Sequence, residues 1–292
     1  MSERAGAYWR LLNSVEDYLR YGERSEHHEP ASVRCLEDAR PGDGGPGGGR
    51  AVVAGAPNAS ATAPPAVRST ASAEREGDDD ELAVRRRRLA MLEERVRSCT
   101  RCPLHEGRMK AVPGDGVLDP LVMVIGEGPG ADEDRRGLPF VGRAGQFLDK
   151  WLEAIDLDRN TNVYIGNIVK CRPPGNRDPR PNESETCLPY LREQIDLIRP
   201  RAILTVGRVS TGILVGTNAG IGSLRGRTFY YNGIPLIPTY HPSGVLRNPD
   251  LKRPVWEDLK RLRALIDRDG GADLAGGEAG PSGGGEADGD RA

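Results

Sequence analysis

The sequence contains no apolar run that approaches the roughly 20 residues of a membrane span. Its first residues include Glu3, Arg4 and Arg10, so they lack the apolar centre of a secretory signal peptide. A glycine-rich loop follows one apolar run, but that loop lacks the Gly-Lys-Ser/Thr ending of a nucleotide-binding P-loop. We therefore expect no membrane association, no nucleotide cofactor and a cytoplasmic location.

The 38 glycines and 23 prolines are unevenly spread, so the chain divides by composition. Residues 23–82 and 269–292 hold too little apolar content to offset the entropy of ordering them, which predicts a disordered linker and a disordered acidic tail. Residues 1–22 contain an amphipathic helical pattern that ends at Gly22. The segment between linker and tail, residues 84–268, has a common size for a single domain.

Short apolar runs alternate with amphipathic segments inside this domain. The runs are bounded by turn residues and are typical of buried strands, whereas the amphipathic segments have helical spacing. This order predicts an α/β fold with three layers, α/β/α, around a mostly parallel central sheet whose ligand crevice opens at the carboxyl ends of the strands. The predicted strands are residues 121–126, 162–169, 202–207 and 235–241, and the predicted helices are residues 144–157, 188–200 and 255–268.

The domain is basic although the whole chain is not. Residues 84–268 carry 31 Lys and Arg against 22 Asp and Glu, a net charge of +9, whereas the whole chain has a net charge of −2. A basic domain suits a polyanion such as DNA, because binding releases counterions from the phosphates. An arginine-rich solvated surface explains the same charge equally well.

Four cysteines lie in the domain, and they suggest one metal centre. Cys99 and Cys102 form a C-x2-C pair, and Cys171 and Cys187 follow at long intervals. Without an export signal disulfides are not expected, so four thiolates on one centre are the better interpretation than four small buried hydrophobes. The intervals match neither a zinc finger nor a ferredoxin, so zinc and an iron-sulfur cluster both remain open on spacing.

Three motifs together with these cysteines resemble the family 4 uracil-DNA glycosylases. The motifs are "GEGPGADEDRRGLPFVGRAG" at residues 126–145, "NIVKCRPP" at 167–174 and "HPSGVLRNP" at 241–249. The resemblance implies a [4Fe-4S] cluster on the four cysteines and a monomeric hydrolase. It further implies excision of uracil from single- or double-stranded DNA during base excision repair, which leaves an abasic site.

The resemblance gives the glycine-rich loop a substrate, which is a deoxyuridine flipped out of the stack. Phe140 offers a flat face for uracil, and we expect it to lie outside the main core. Gly126 and Gly128 allow close backbone approach. Asn167 ends a strand, where its amide can donate to uracil O4 and accept from N3–H. A simple turn cap is the alternative role for that asparagine. The acidic run at residues 132–134 is expected to form a solvated turn or to cap the segment that follows it.

Two further residues are candidates for breaking the glycosidic bond. His241 follows a strand and can donate to uracil O2, where negative charge develops as the base leaves. Glu127 follows the first predicted strand and can orient water and stabilise the cationic sugar. A structural histidine is the alternative for His241, and the assignment of Glu127 is the weaker of the two.

The segment after His241 is the expected DNA contact. Ser243, Leu246 and Arg247 lie in it, with Leu246 as an apolar wedge and Arg247 filling the gap or holding a phosphate. Relatives that trap uracil-DNA covalently carry an insert before the third cysteine. Here Cys171 follows "NIVK" directly, which predicts ordinary turnover. A non-catalytic iron-sulfur or zinc protein that binds DNA on the same fold is the alternative function, and a nucleotide-dependent phosphotransferase is disfavoured because the P-loop lysine is missing.

Overall fold

A computed structural model describes the backbone of residues 70–269 and the side chains of residues 80–268. The predicted helix at residues 7–22 lies outside the described residues. So do residues 23–69 of the predicted linker and residues 270–292 of the predicted tail. In the part of the chain that the structure covers, no helix is long and apolar enough to cross a membrane.

A six-stranded sheet forms the centre of the described residues, in the order β1-β3-β2-β4-β6-β5. The four inner strands are mutually parallel, and the edge strands β1 and β5 are antiparallel to their neighbours. This confirms the mostly parallel sheet, and all four predicted apolar runs are strands. The strands are β1 Asp115–Gly116, β2 Val122–Gly126, β3 Val163–Asn167, β4 Ala202–Val206, β5 Phe229–Tyr231 and β6 Ile234–Thr239.

The inner strands are continuous apolar runs because helices cover both faces of the sheet. Alternate residues point to opposite faces, so Val122 and Val124 pack in one core cluster whereas Met123 and Ile125 pack in the other. All four side chains are fully buried. The predicted three-layer arrangement is therefore confirmed, with one apolar core on each side of the sheet.

Nine α-helices are present among residues 70–269, and they divide between the two faces. Helices α4, α8 and α9 contribute Trp151, Val245 and Leu259 to one core cluster. Helices α1 and α5 contribute Leu92 and Leu191 to the other. The helices are α1 Thr70–Arg97, α2 Leu104–Gly107, α3 Ala131–Arg136, α4 Arg143–Glu153, α5 Pro181–Ile198, α6 Arg208–Val215, α7 Ile221–Leu224, α8 Pro242–Arg247 and α9 Lys252–Asp269.

Helix α1 corrects the predicted boundary between linker and domain. The linker was expected to reach residue 82, but residues 70–82 are already part of this helix. Its far end is tied to the domain, because Leu92 is fully buried and the Arg85 guanidinium donates to the Asp119 carboxylate over 2.7 Å. The helix therefore starts within the acidic stretch that low apolar content marks as linker, and tertiary contacts further along anchor it.

The carboxyl ends of the four parallel strands meet at one edge of the sheet. Gly126 ends β2 and is paired in register with Asn167, which ends β3. Gly207 follows β4, and its N–H donates to the carbonyl of Thr239 at the end of β6 over 2.9 Å. The chain then reaches His241 two residues later. This edge holds the residues that the sequence motifs point to.

Candidate active site

Gly126, Asn167 and Phe140 meet at the carboxyl edge of the sheet. A Cβ atom placed on Gly126 would lie 2.4 Å from Asn167 Oδ1 and 2.7 Å from Phe140 Cζ, which no real side chain tolerates. Only glycine therefore fits at this position, because the side chains of Asn167 and Phe140 fill the space beside it. The Phe140 ring also lies 5.8 Å from the His241 ring, centroid to centroid, with a tilt of 35°. The structure thus places three predicted base-contacting residues and His241 around one point.

Phe140 is buried, which corrects the expectation that it lies outside the main core. Its side chain is only 6% exposed, and it belongs to the core cluster that Trp151 and Leu148 also form. Its backbone has φ of +52°, a left-handed conformation that is strained for an aromatic residue. A glycine-rich loop can still be packed when other side chains fix its backbone, and sequence composition does not reveal those partners.

Glu133 fixes the backbone on the far side of Phe140. Its Oε1 accepts hydrogen bonds from the N–H groups of Val141 and Gly142, each 2.9 Å long. Its Oε2 accepts from the Gly130 N–H over 3.1 Å, which caps helix α3. The expected role of Glu133 as a cap is therefore correct, and its hold on the Phe140 loop is an addition.

Asp134 differs from the expectation of a solvated turn. It is 2% exposed, and its Oδ1 accepts from the Met109 N–H over 2.8 Å. The carboxylate joins α3 to the segment before β1. The run of three acidic residues therefore contains two residues that hold the backbone in place, Glu133 and Asp134.

Asn167 is 1% exposed, and its Oδ1 has no hydrogen-bond partner among the described residues. An unpaired buried acceptor costs free energy, so such atoms call for a partner from outside the protein. The turn-cap alternative would give this oxygen a backbone N–H donor, and none is present in the described residues. This geometry suits an amide oxygen that accepts a hydrogen bond from a ligand.

His241 is held as a neutral imidazole. Its Nδ1 accepts from the Ser243 backbone N–H over 3.2 Å and lies 2.7 Å from the Ser243 hydroxyl. A backbone N–H can only donate, so Nδ1 carries no proton and Nε2 does. Burial, and next the nearby Arg247 guanidinium, lower the pKa of His241 to about 4. Nε2–H is thus a permanent neutral donor near neutral pH.

Glu127 lies directly after β2, half-buried beside the pocket. Burial, and then the Asp178 carboxylate, raise the pKa of Glu127 to about 7, whereas Arg208 acts in the opposite direction. Asp178 and Arg208 form an ion pair with each other. A carboxylate with a pKa near 7 can exchange a proton with water at neutral pH.

The segment after His241 forms the short helix α8. Ser243 is partly exposed and contacts the imidazole, as above. Leu246 is half-buried and packs against the core cluster, and Arg247 is exposed in the last turn. The helix thus places the Arg247 cation at the surface near His241. The side chain of Leu246, the expected wedge, is instead partly packed against the core.

All four domain cysteines line one small cavity. Cys171 and Cys187 are buried, and Cys99 and Cys102 are partly buried. His105, Arg108 and Tyr190 are among the other side chains that line the cavity. Among residues 80–268, no group of three or more Cys, His, Asp or Glu side chains is arranged to hold a single metal ion.

Four cysteine thiols on one cavity are a donor set that suits either a zinc ion or a four-iron cluster, because both take four cysteine ligands. Hydrogen bonds to sulfur are one of the features that tune such clusters. Here the Arg108 guanidinium donates to Cys171 Sγ over 3.0 Å, and the Lys170 N–H donates to Cys187 Sγ over 3.3 Å.

Two residues that contact the site were not predicted from the sequence, although Lys170 lies within the second motif. Lys170 is fully buried, and its Nζ donates to the Asn167 carbonyl over 2.9 Å and to Gln194 Oε1 over 2.5 Å. Arg159 donates to the carbonyl of Phe140 over 2.9 Å. A lysine inside an otherwise apolar strand end is a usable signal, because lysine is almost never fully buried. Arg159 lies in a polar loop and gives none.

Comparison with known proteins places this site in a class. The family model described as the uracil DNA glycosylase superfamily matches residues 113–260, which include all three motifs.

Curated relatives narrow the class to one family. A type-4 uracil-DNA glycosylase of Thermotoga maritima is 42% identical over 186 residues, which are 62% of this chain and 96% of the relative. The type-4 enzyme of Sulfurisphaera tokodaii is 43% identical over 61% of this chain and 84% of the relative. That of Pyrobaculum aerophilum is 44% identical over 59% and 91%. The chain belongs to the type-4 family of the uracil-DNA glycosylase superfamily.

Proposed function

We propose that this protein hydrolyses the N-glycosidic bond of deoxyuridine in DNA, releases uracil and leaves an abasic site for base excision repair. The observation that carries this proposal is the unpaired, buried Asn167 Oδ1 beside the Phe140 ring, because uracil N3–H supplies the missing donor. Family membership supports the same reaction. The enzyme acts on a base that has left the duplex.

The pocket selects uracil through the hydrogen-bonding pattern of its edge. Asn167 Oδ1 accepts from N3–H, and the same amide donates to O4. Cytosine has an acceptor at N3 and a donor at C4, so it opposes the amide at both positions. The Phe140 ring stacks on the base, and Gly126 and Gly128 let the backbone approach it closely. A base-aromatic stack contributes about 1–3 kcal/mol.

Two side chains assist the cleavage of the glycosidic bond in this proposal. When the C1′–N1 bond breaks, its electron pair stays on uracil, and the Nε2–H of neutral His241 donates to O2 where that charge accumulates. The sugar becomes an oxocarbenium-like cation, which water attacks at C1′. Glu127 as carboxylate stabilises this cation and takes a proton from the water, for which a pKa of about 7 is suited.

Helix α8 carries the expected DNA contacts. Arg247 is exposed there and can hold a phosphate or fill the gap that the flipped base leaves. Leu246 would enter the base stack after a small movement of its helix, since it is half-packed here. The net charge of +9 on residues 84–268 favours both single- and double-stranded DNA as partners.

Cys99, Cys102, Cys171 and Cys187 would hold a [4Fe-4S] cluster, which serves to cross-link the 171–187 loop to the helices around it. The donors on Cys171 and Cys187 support a cluster. No step of the hydrolysis uses it. Because no insert separates Lys170 from Cys171, the proposed enzyme turns over without forming a covalent product with DNA. The proposal further includes a monomeric enzyme in the cytoplasm.

A uracil-containing oligonucleotide tests the function. Purified, iron-loaded protein should convert it to an abasic site without ATP, and His241→Ala should slow single-turnover cleavage by about 10²–10³-fold, as loss of one preorganised donor does. Tyr230→Ala, on exposed β5, is the matched control and should cleave normally. Tight binding of the oligonucleotide without release of uracil would instead identify a non-catalytic DNA-binding protein.

The metal is tested separately by absorbance and metal analysis. Broad visible absorption with about four irons per chain supports the cluster. A colourless protein with one zinc per chain would contradict it without affecting the proposed chemistry.

A further inference from the structure

The backbone turn at Phe140 is held by a side chain from a distant loop. Arg159 lies between α4 and β3, and its Nη1 donates to the Pro139 carbonyl over 3.2 Å. Its Nη2 donates to the Phe140 carbonyl over 2.9 Å. One guanidinium therefore grips two consecutive carbonyls of the turn that carries the proposed stacking ring.

The Arg159 guanidinium is itself held in place. Its Nε and Nη2 donate to Asp149 Oδ1, on α4, over 3.0 and 2.6 Å. The Arg159 side chain is only 16% exposed. A planar guanidinium bound along several of its N–H groups has a fixed orientation, which a lysine ammonium cannot reproduce.

The contact matters because the backbone at Phe140 has a conformation that phenylalanine disfavours. A phenylalanine does not favour φ of +52°, and strained backbone persists only where surrounding groups over-determine it. Helix α4 packs closely beneath the turn, since a Cβ on Gly145 would lie 1.8 Å from the Phe140 carbonyl oxygen. Glu133 holds the N–H groups after Phe140, and Arg159 holds the carbonyls before and at it.

We infer that Arg159 is a positioning residue of the uracil pocket. Through the Pro139 and Phe140 carbonyls it sets the backbone angle at Phe140, and so the height and tilt of the ring above Gly126 and beside His241. It touches neither base nor DNA and acts through Phe140 alone. This inference rests on the proposed stacking role of Phe140.

A double-mutant cycle tests whether Arg159 acts through Phe140. The variants are Arg159→Gln, Phe140→Leu, which keeps apolar volume without a flat face, and their combination. We expect each single variant to lower kcat/KM on uracil-DNA by about tenfold. When Arg159→Gln is added to the Phe140→Leu enzyme, kcat/KM should change by less than about twofold, because the two residues are strongly coupled neighbours. The inhibition constant of free uracil should rise in both single variants alike, because it reports the base slot without the DNA.

Arg263→Gln is the matched control. Arg263 also pairs with a carboxylate, Asp267, and donates to a backbone carbonyl, that of Ile155, but on α9 away from the turn. It should leave kcat/KM and uracil inhibition unchanged. Arg159→Lys keeps the charge and one contact, so it should recover only part of the loss.

Each result decides between two claims. Effects of Arg159→Gln and Phe140→Leu that multiply in the double variant would overturn the positioning role, as would unchanged uracil inhibition in Arg159→Gln. A Phe140→Leu enzyme with wild-type kcat/KM would instead overturn the stacking role of Phe140. If the melting temperature shows that Arg159→Gln does not fold, the double-mutant cycle is measured with Arg159→Lys in its place.

Discussion

At the scale of single residues, Asn167 is the clearest sign of a ligand. Its Oδ1 is buried beside Gly126 and Phe140 and has no hydrogen-bond partner among the described residues. An unpaired buried acceptor costs free energy, which a ligand with an N–H donor would recover. In the proposed function, selectivity for uracil follows from this amide.

Replacement of Asn167 by alanine should abolish most of this selectivity. We expect kcat/KM on uracil-DNA to fall about 10–100-fold, because two hydrogen bonds to the base are lost in a dry pocket. Single-turnover kinetics on a uracil oligonucleotide measure this. Asn218→Ala, at an exposed position after α6, is the control and should cleave normally. Equal cleavage rates for Asn167→Ala and the native enzyme would contradict the proposed role of Asn167 in recognising the base.

The pH profile of cleavage should follow Glu127 and not His241. The proposed mechanism uses the Glu127 carboxylate, whose pKa is raised to about 7, so kcat/KM should rise with pH through about 7 and level off above it. His241 has a pKa lowered to about 4, so it stays neutral over this range and adds no step near its ordinary value of 6.5. Initial rates from pH 5 to 9 measure the profile.

Glu127→Gln supplies the control for that profile. The glutamine does not titrate, so the variant should be slow and should lack the rise near pH 7. A rising limb that persists in Glu127→Gln would assign it to another group.

At the scale of elements, the sheet could be predicted because its strands are apolar on both faces. The runs that became β2, β3, β4 and β6 are bounded by turn residues, and burial on both sides leaves no other place for them. The site edge followed from the same pattern, since parallel strands end together. Strand ends and motifs together therefore predicted Asn167, Glu127 and His241 as site residues. The structure places Asn167 next to Gly126 and Phe140, and it places the His241 ring beside the Phe140 ring.

Features set by distant contacts could not be predicted. Helix α1 shows a narrow apolar stripe, Leu89, Leu92 and Val96, beside four consecutive arginines, and only its packing against α5 makes it part of the domain. The burial of Phe140 depends in the same way on Arg159, 19 residues further along the chain. Neither partner is adjacent in sequence, and neither leaves a periodic pattern.

The loop between Cys171 and α5 should depend on Glu183 as well as on the cysteines. Glu183 is 1% exposed, accepts from both Arg177 Nη atoms over 2.8 and 2.7 Å, and accepts from the Arg180 N–H over 2.7 Å. Arg177 lowers the pKa of Glu183, which therefore stays ionised. We expect Glu183→Ala to lower the melting temperature by about 5 °C, because charged hydrogen bonds are lost in a buried place.

Glu185→Ala is the matched control, since Glu185 lies two residues along the same helix and is exposed. Its melting temperature should match that of the native protein. An unchanged melting temperature for Glu183→Ala would mean that the cysteine centre alone fixes this loop.

At the scale of the whole molecule, the cysteine cavity and the base pocket share one structural link. Lys170 follows the end of β3 by three residues, contacts the Asn167 carbonyl with its side chain and precedes Cys171. The proposed cysteine centre and the proposed base-reading amide are therefore joined by one residue. If both proposals hold, loss of the centre should disturb the strand end that carries Asn167.

The described residues also define the smallest chain that should act. They contain every proposed site residue and all four domain cysteines, so a protein that lacks residues 1–69 should keep its visible absorption and its rate of uracil release at low DNA concentration. Removal of residues 1–98 should instead unfold it, because Leu89, Leu92 and Val96 leave one core cluster and Arg85 leaves Asp119. Each buried leucine contributes about 2–5 kcal/mol, a large part of the stability of a whole domain. Activity assays and circular dichroism on the two truncations measure this, and an active protein without residues 1–98 would show that α1 lies outside the catalytic domain.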